Sequence, residues 1–424
     1  MQKAQSIKYL YAGDHLIMQN NTLTFVLAGG MGSRLYPLTA RRSKPAVPFG
    51  GKYRIIDFTL ANCLHSGLRR VLVLTQYKSH SLNKHLRDGW SIFNPELGEY
   101  IIPVPAQMNR GEHWYRGTAD AIFQNLNLLE RSDAEYTLIL SGDHIYRMDY
   151  EAMLRSHQKQ DSDVTIACME VPLAEAGAFG VIVADENMQI IEFEEKPESP
   201  TPYPADPDKA LVSMGLYVFS NTLLKQSLMN DQENNQSGHD FGKDILPLMV
   251  NQHNVKAYKF GGEKGRVTPD NYWRDVGTID AYHQANMDLL KPVPPLNLYQ
   301  SDWPIRTYQP QSPPARTIQS SSGTDNVLVN SILSSGVVIS GADIRSSILS
   351  SDIFVDDKAV IDHSILFDGV GVGVAARLKN CIVDKNVQIP PHAEIGYDPE
   401  KDQKRFAVSE NGIVTVPEGF IFPG

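Results

Sequence analysis

At 424 residues, of which 42% are hydrophobic and 21% charged, the chain is long enough for two or three globular domains. Its net charge of −10 argues against general binding to nucleic acid or to anionic membranes, because both require an excess of Lys and Arg. The three cysteines lack C-x-x-C spacing and no apolar run approaches the roughly 20 residues of a membrane span, so we expect a cytoplasmic protein without a disulfide framework or cysteine zinc site.

The first predicted domain, residues 1–290, alternates β-branched runs with helix-length segments. Buried strands are predicted at 22–30, 71–77 and 136–144, and helices at 57–66 and 119–131. This alternation indicates an α/β domain with a mainly parallel, Rossmann-like sheet covered on both faces. Ligands of such sheets bind outside the carboxyl ends of the strands, so the segments that follow the strands should face one cleft.

A basic, glycine-rich segment follows the first predicted strand. Six Lys and Arg lie between residues 34 and 54, and residues 27–56 contain no Asp or Glu. The segment fits neither the G-x-G-x-x-G fingerprint nor a P-loop. Glycines after a strand let backbone N–H groups approach phosphate oxygens, and Arg34 and Lys44 could neutralise their charge. The segment therefore predicts phosphate binding, and the alternative is a tight turn beside a solvated basic face.

Residues 291–326 are predicted to form a linker or an extended strap. Seven prolines lie between residues 291 and 314, and proline both removes backbone donors and disfavours helix. Trp303 and Ile305 indicate that the strap is packed against the protein.

The last predicted domain, residues 327–424, contains an internal repeat. The triplet "SIL" begins at residues 331, 347 and 364, and "CIV" begins at residue 381. Repeats of this length with aliphatic residues about every six positions predict a β-helix, whose coils bury one another's apolar faces. The alternative is a β-sandwich with regular strand lengths.

Longer motifs resemble the sugar-1-phosphate nucleotidyltransferases. The shared signature is G-G-x-G-x-R-L-x-P-L-T at 29–39, followed by K-P-A-x-P-x-G-G at 44–51. Further motifs are similar to those of one family within that group, the ADP-glucose pyrophosphorylases. They are "RIIDF" (54–58), "TQYKSHSL" (75–82), "WYRGTADA" (114–121), "SGDHIYRMDY" (141–150), "FEEKP" (193–197), "SMGLYVF" (213–219), "HDFGKDILP" (239–247) and "YWRDVGT" (272–278).

The resemblance implies an activity as well as a fold. The enzyme would transfer the adenylyl group of ATP to α-D-glucose 1-phosphate, giving ADP-glucose for glycogen synthesis and pyrophosphate. The fold would be a nucleotidyltransferase domain followed by a left-handed β-helix. The resemblance further implies Mg²⁺ as cofactor, an anionic small-molecule effector and a homotetramer.

The resemblance also assigns roles to individual positions. Catalytic residues would be Arg34, Lys44 and Asp143. ATP would be bound by Gly29, Gly30, Arg34, Lys44 and Gln76. Glucose 1-phosphate would be bound by Tyr115, Gly180, Glu195, Lys196, Ser213, Asp240 and Trp273. The metal would be held by Asp143 and Asp275, although either residue taken alone could be a turn or helix cap. The regulatory anion would be bound by Arg41, Arg42, Arg54, Arg131 and Lys385.

Two positions depart from the family pattern. Met31 stands where many bacterial members carry Arg, and Pro48 stands where some activator-responsive members carry His. Met31 leaves one cation fewer near the phosphates than in those members, which bears on the affinity for ATP or on the response to effectors. Pro48 bears on which effector the protein binds. The alternative for the regulatory cations is that they form salt bridges between the two domains.

Three rival functions are compatible with parts of the sequence. One is a uridylyl- or thymidylyltransferase for another sugar, which would share the glycine-rich segment but not the "WYRGTADA" and "YWRDVGT" pair. Another is a catalytically silent regulatory subunit of the same fold. The last is an acyltransferase in the β-helix, with His363 or His392 as the base.

Overall fold

A computed structural model of the chain describes residues 21–109, 111–261, 267 and 271–423. In these residues an α/β domain is joined by an extended strap to a β-helix. Residues 1–20, which the prediction assigns to the first domain, lie outside the described ranges. None of the helices in those ranges is both long and apolar enough to cross a lipid bilayer.

A nine-stranded sheet forms the centre of the α/β domain. Its strands are β1 (Thr22–Leu27), β2 (Arg70–Thr75), β3 (Tyr100–Pro105), β4 (Tyr136–Ser141), β5 (Val164–Pro172), β6 (Gly180–Ala184), β7 (Ile190–Glu195), β8 (Lys209–Ser220) and β9 (Val255–Lys259). The strand order is β7-β6-β8-β4-β1-β2-β3, and β5 pairs with both β8 and β9. Strands β1 to β4 are parallel, as predicted, whereas β8 is antiparallel to β4, β5 and β6. The carboxyl ends of β1, β2 and β4 therefore meet at one edge.

Helices cover both faces of the sheet. Those on the face towards the β-helix include Ile55–His65, His80–Trp90, Tyr150–Lys159 and Ile279–Asp288. Those on the opposite face include Thr118–Phe123, Leu126–Glu130, Asn221–Glu233 and Leu246–Val250. Shorter elements are the α-helices Leu173–Ala176 and Pro399–Gln403, the 3₁₀ turns Ser33–Leu35, Lys44–Ala46 and Pro95–Leu97, and the π-helical turn Phe241–Ile245.

Two short antiparallel ribbons lie outside the main sheet. Trp273–Asp275 pairs with His144–Tyr146, which places Asp275 opposite His144. Pro48–Phe49 pairs with Tyr53–Arg54 and turns the basic segment back towards the β-helix. The first ribbon brings two parts of the chain that are 130 residues apart to the carboxyl end of β4.

The C-terminal domain is the left-handed β-helix that the repeat and the resemblance predict. One of its parallel sheets contains Arg316–Ile318, Val338–Ser340, Phe354–Val355, Gly371–Val372 and Gln388–Ile389. A second contains Val327–Val329, Asp343–Arg345, Val360–Asp362, Arg377–Lys379 and Glu394–Ile395. The third contains the parallel strands Ile332–Leu333, Ile348–Leu349, Ile365–Leu366, Cys381–Val383 and Val414–Val416, and ends with Ala407–Val408, which pairs antiparallel with Val414–Val416.

The β-helix begins earlier than the sequence indicates. Arg316–Ile318 pairs in parallel with Val338–Ser340, so it is the first strand of a coil rather than part of the linker. The predicted boundary at residue 327 therefore falls inside the first coil. Only Ile318 in this strand is aliphatic, which is why the repeat pattern did not reveal it.

The repeated triplets pack on both sides of their sheet. Ile348, Ile365 and Ile382 lie in the core shared with the α/β domain. The residue that follows each isoleucine, as in Leu349 and Leu366, lies in the core of the β-helix. Because neighbouring residues of a strand point to opposite faces, one repeat stabilises the coil and docks it to the α/β domain.

The strap is packed down, as Trp303 and Ile305 predict. Trp303 is 2% exposed and donates from Nε1 to Asn62 Oδ1 at 3.1 Å. Arg306 Nε donates to Gly89 O at 3.1 Å, and a Cβ on Gly89 would come within 2.9 Å of the Tyr308 nitrogen. The strap is thus held on the surface of the helices Ile55–His65 and His80–Trp90.

The two β-helix histidines occupy corners of the coils. His363 has φ 45° and His392 has φ 61°, in series with left-handed residues such as Asn380 and Lys358 on neighbouring coils. The carbonyl of His363 contacts Nε2 of His283, on a catalytic-domain helix, at 2.8 Å. These contacts favour a structural role over that of an acyltransferase base.

Candidate active site

A cavity of about 600 Å³ opens at the carboxyl ends of β1, β2 and β4. The glycine-rich segment forms one wall, and the segment 115–118 forms another. The predicted site residues that line it are Gly29, Gly30, Arg34, Lys44, Gln76, Tyr115, Asp143 and Asp240. The fold therefore brings side chains from five separate motifs into one cleft.

Lys44 binds both predicted metal ligands. Its Nζ lies 2.8 Å from Asp143 Oδ2 and 2.6 Å from Asp275 Oδ1, and its side chain is buried. Burial alone would lower the pKa of Lys44, but the two carboxylates outweigh burial and raise it. Burial would likewise raise the pKa of Asp143, but Lys44 and His144 hold it well below its usual range. The ammonium group of Lys44 thus bridges the carboxylates of Asp143 and Asp275.

Asp143, His144 and Asp275 form a compact group. One ligand atom from each lies within 4.8 Å of those of the other two. Asp143 also accepts a hydrogen bond from the Ser141 hydroxyl, which fixes its rotamer. Burial lowers the pKa of His144, and the centroid of its ring lies 4.9 Å from that of Trp273. Two hard carboxylate oxygens that already share one cation are a donor set that fits Mg²⁺.

The glycine-rich loop packs closely on these groups. Gly32 has φ 61°, and a Cβ there would come within 3.1 Å of Lys44 Cβ, so the loop requires glycine at this position. A Cβ on Gly277, next to Asp275, would lie 3.1 Å from Arg34 Nη2. The Arg34 guanidinium is therefore beside the carboxylate pair, while Met31 lines the cavity and is 65% exposed.

Gln76 and Tyr115 hold two cavity walls together. The backbone N–H of Tyr115 donates to Gln76 Oε1 at 2.9 Å, and Gln76 Nε2 donates to the Tyr115 carbonyl at 3.4 Å. The Tyr115 hydroxyl accepts from Asn125 Nδ2 at 2.8 Å. The side-chain amide of Gln76 therefore fixes the position of the backbone at Tyr115 and also lines the cavity.

Several of the predicted sugar-binding residues converge beside this cavity. A Cβ on Gly242 would lie 2.6 Å from Glu195 Oε2 and 3.4 Å from Asp240 Oδ1, and a Cβ on Gly180 would lie 3.1 Å from the same Glu195 oxygen. Lys196 Nζ binds Glu195 Oε1 at 2.7 Å, and its side chain is 62% exposed. Glycine at 180 and 242 thus makes room for a carboxylate near Asp240.

Tyr217 joins the same group, and sequence reasoning missed it. Burial raises its pKa, and Ser213 and the carboxylates of Asp240 and Glu195 are near its hydroxyl. Its position within "SMGLYVF" was a signal, but an aromatic residue in a buried strand is usually part of a core.

Trp273 is the remaining residue predicted to bind the sugar. It is 4% exposed, its ring packs against Phe179 at 5.5 Å, and its Nε1 has no hydrogen-bond partner in the described part of the chain.

Three of the five predicted regulatory cations pair with carboxylates of the β-helix domain. Arg42 is 4% exposed and binds Asp384 through Nη1 at 2.9 and 3.0 Å and Glu418 through Nη2 at 3.0 Å. Lys385 Nζ lies 2.5 Å from Asp368 Oδ2. Arg41 is exposed and reaches Glu418 only at 4.0 Å. For Arg42 the alternative of an interdomain salt bridge is therefore the better description.

Arg54 and Arg131 occupy different environments. Arg54 donates from Nη1 to the Ala46 carbonyl at 2.5 Å and, with Asp368, lines an interdomain cleft of about 620 Å³. Burial lowers the pKa of Lys385, and nearby Arg54 and Arg42 lower it further while Asp368 opposes them. Arg131 follows the helix Leu126–Glu130, on the opposite face of the sheet. Within one chain it therefore lies apart from the other four predicted regulatory cations.

Comparison with known proteins covers nearly the whole chain. Residues 23–292 match the family model described as nucleotidyl transferase, and residues 313–416 match that of a GlmU-like C-terminal hexapeptide. The chain is 60% identical over 402 residues to glucose-1-phosphate adenylyltransferase 2 of Vibrio cholerae, covering 95% of this chain and 99% of that protein. It is 47% identical over 400 residues to glucose-1-phosphate adenylyltransferase of Methylobacillus flagellatus, with 94% of each chain covered.

Proposed function

The chain belongs to the nucleotidyl transferase family, and on that basis we propose that it is a glucose-1-phosphate adenylyltransferase. It joins ATP and α-D-glucose 1-phosphate to give ADP-glucose and pyrophosphate. The observation that carries this proposal is the similarity to proteins of that name along about 95% of the chain. The cavity lined by Lys44 and Asp143, in which Lys44 also contacts Asp275, supports it.

The reaction brings two anions together. An oxygen of the glucose 1-phosphate phosphate attacks the α-phosphorus of ATP, that P–O bond forms, and the bond from the α-phosphorus to the bridging oxygen of pyrophosphate breaks. No side chain needs to act as a nucleophile. The protein's contribution is alignment of the two phosphates and neutralisation of their charge.

Cations beside the glycine-rich loop supply that neutralisation. We assign Arg34 and Lys44 to the phosphates of ATP, with the backbone N–H groups of Gly29 and Gly30 as donors. Lys44 also keeps Asp143 and Asp275 at a fixed separation, because its Nζ contacts both. Asp143 and Asp275 would hold a divalent cation such as Mg²⁺, which would supply further neutralisation of the phosphate charge.

The convergent carboxylates suit a hexose. Glu195 and Asp240 can accept hydrogen bonds from sugar hydroxyls, and Ser213 can donate or accept. Lys196, whose exposed ammonium group contacts Glu195, is assigned to the phosphate of glucose 1-phosphate. Its contact to Glu195 keeps it at the edge of the pocket.

A pyrophosphate-release assay tests the proposal. Purified protein is given each of the common nucleoside triphosphates with each of a panel of sugar 1-phosphates, with Mg²⁺ present. We expect release with ATP and glucose 1-phosphate to exceed every other pair. Preference for UTP or dTTP would establish the rival nucleotidyltransferase, and no release with any pair would establish the silent subunit.

The interdomain cations support a second proposal, that an anionic metabolite regulates the enzyme. Because Arg42 is already saturated by Asp384 and Glu418, the anion would be met by Arg54, Lys385 and Arg41. Such a ligand would clamp the β-helix to the domain that carries the glycine-rich loop, and a coupling of about 1–3 kcal/mol would change activity about 5- to 150-fold.

A panel of sugar phosphates, adenylates and phosphate tests this second proposal. Lys385→Ala is expected to weaken the response to the effective anion while unstimulated turnover stays within about twofold. No change in activity or melting temperature with any of these anions would show that the cations are only structural.

The assembly and context follow the family resemblance. We propose a homotetramer in the cytoplasm that serves glycogen synthesis. Sedimentation velocity of the purified protein measures the first of these directly.

A further inference from the structure

We propose that the Thr118 hydroxyl is a positioning group that orients the Asp240 carboxylate for the sugar and links the two substrate subsites. The inference rests on the proposed function, in which Asp240 contacts the hexose. It concerns a residue to which neither the family motifs nor the reaction scheme assigns a role.

The Thr118 hydroxyl makes two hydrogen bonds, one to Asp240 and one to the next residue, Phe241. Its Oγ1 donates to Asp240 Oδ2 at 3.0 Å and accepts from the backbone N–H of Phe241 at 3.0 Å. Both Thr118 and Asp240 line the cavity. A half-buried hydroxyl bonded in this way holds a charged acceptor in one orientation.

The bonding of Asp240 leaves one oxygen for a ligand. Its Oδ1 accepts from the backbone N–H groups of Gly242 at 2.9 Å and Lys243 at 3.3 Å, and so caps the turn Phe241–Ile245. Its Oδ2 receives the Thr118 hydroxyl and can accept one further hydrogen bond. Thr118 therefore bonds the oxygen that is left to meet a sugar hydroxyl.

Thr118 does not serve its own helix. The N-cap position, where a threonine hydroxyl could cap the free N–H groups of the first turn, is occupied in this helix by Gly117. Here the helix Thr118–Phe123 has no side-chain cap, and the His239 carbonyl accepts from the backbone N–H of Ala119 at 2.9 Å and of Asp120 at 3.3 Å. The hydroxyl is thus free of the usual local role and is directed to Asp240.

The same segment is tied to the nucleotide side. A Cβ on Gly117 would lie 2.2 Å from the His239 carbonyl oxygen, so the two backbones are in direct contact. Three residues before Thr118, Tyr115 exchanges two hydrogen bonds with Gln76. A shift of segment 115–118 when ATP binds would therefore move the Thr118 hydroxyl and, through it, Asp240.

Matched substitutions at Thr118 test this role. Thr118→Val keeps the shape and removes the hydroxyl, and Thr118→Ser keeps the hydroxyl. We expect Thr118→Val to raise the KM for glucose 1-phosphate roughly tenfold and the KM for ATP by less than about threefold. Thr118→Ser should stay within about threefold of the wild type for both. Thr118→Ala serves in the same way if the valine variant does not fold.

A binding measurement separates positioning from a structural role. Isothermal titration of glucose 1-phosphate is made with and without a non-hydrolysable ATP analogue. We expect the analogue to tighten binding in the wild type and in Thr118→Ser, and to have little effect in Thr118→Val at temperatures where its melting curve shows it folded. Equal changes in both KM values, or a valine variant that behaves as the wild type, would overturn the inference.

Asp240→Asn separates the proposed role of Thr118 from the assignment of Asp240 to the sugar. If it raises the KM for glucose 1-phosphate while Thr118→Val does not, the role of Thr118 alone is overturned. If neither changes that KM, the assignment of Asp240 to the sugar is overturned together with that of Thr118. Absence of ADP-glucose formation by the wild type would overturn the proposed function itself.

Discussion

Lys44→Met is expected to convert the active site into a pair of repelling carboxylates. The Lys44 Nζ lies 2.8 Å from Asp143 and 2.6 Å from Asp275, and the side chain is 9% exposed. Methionine keeps most of its volume but removes its charge. The two carboxylates, whose ligand atoms lie within 4.8 Å of each other, then face each other without the ammonium group.

The size of the effect follows from Coulomb's law. At 4.8 Å and an effective dielectric constant of about 20, two unit charges repel by about 3.5 kcal/mol. A loss of this size should lower the melting temperature by roughly 7–14 °C in a domain of this length. Turnover should fall at least about a hundredfold, because the ATP phosphates lose a cation on the cavity floor.

A divalent cation should restore part of this stability. Ligand at a hundred times its Kd stabilises a folded protein by about 2.7 kcal/mol. In the variant the metal relieves repulsion, whereas in the wild type it shares the carboxylates with Lys44. The gain in melting temperature on adding Mg²⁺ should therefore be larger for Lys44→Met than for the wild type.

Differential scanning fluorimetry at matched ionic strength measures both effects. Lys44→Arg, which keeps the charge, and Lys84→Met, at an exposed helix position, are the control variants. Neither should show the enlarged response to Mg²⁺. Equal gains with Mg²⁺ for the wild type and Lys44→Met would refute the electrostatic reasoning, whatever happens to activity.

Three other substitutions test separate parts of the account. Asp143→Asn should keep the fold and abolish most turnover, because an amide removes a charge from the metal site; near wild-type turnover at saturating Mg²⁺ would contradict this. Lys196→Ala should raise the KM for glucose 1-phosphate roughly ten- to hundredfold, for the loss of a charge-assisted contact of about 1.5–3 kcal/mol, and change the KM for ATP much less. Burial lowers the pKa of His157 from 6.5 to about 4, so the folded state takes up its proton less readily than the unfolded chain. The contribution to the free energy of unfolding is complete above pH 6.5 and falls by about 3 kcal/mol as the pH decreases towards 4. Urea titrations at a series of pH values should therefore show a flatter pH profile of this free energy for His157→Gln. An unchanged profile would contradict the assignment.

Much of the fold was encoded in local patterns. The triplets at intervals of 16 and 17 residues predicted the coils, and they pair in that register, Ile348 with Ile365 and Ile365 with Ile382. Their spacing is readable because each coil of a β-helix repeats the environment of the last. Arg316–Ile318 escaped detection because pairing with Val338–Ser340, rather than its own composition, makes it a strand.

The candidate site was predictable only in part. The glycines, Arg34 and Lys44 stood out because phosphate binding requires those residue types, whereas Asp143 and Asp275 were assigned only through the resemblance to the family. Tyr217 and Thr118 did not, because a tyrosine in a strand and a threonine at a helix start have commoner structural uses. Their polar atoms acquire a role only from the residues that the fold brings next to them.

By itself the sequence determined which residues carry charge, which segments form β1, β2 and β4 and how long each coil is, since these depend on neighbours along the chain. The predicted ends of these strands at residues 30, 77 and 144 lie beyond the observed ends at Leu27, Thr75 and Ser141. The tertiary structure alone decided that Lys44 lies between Asp143 and Asp275, which are separated from it by 99 and 231 positions. It also decided that Arg42 forms a salt bridge with Asp384, while Arg131 lies on the opposite face of the sheet. Such pairings depend on how the sheet, the ribbon and the β-helix pack, and a charged residue meets its partner only after that packing has removed both from water.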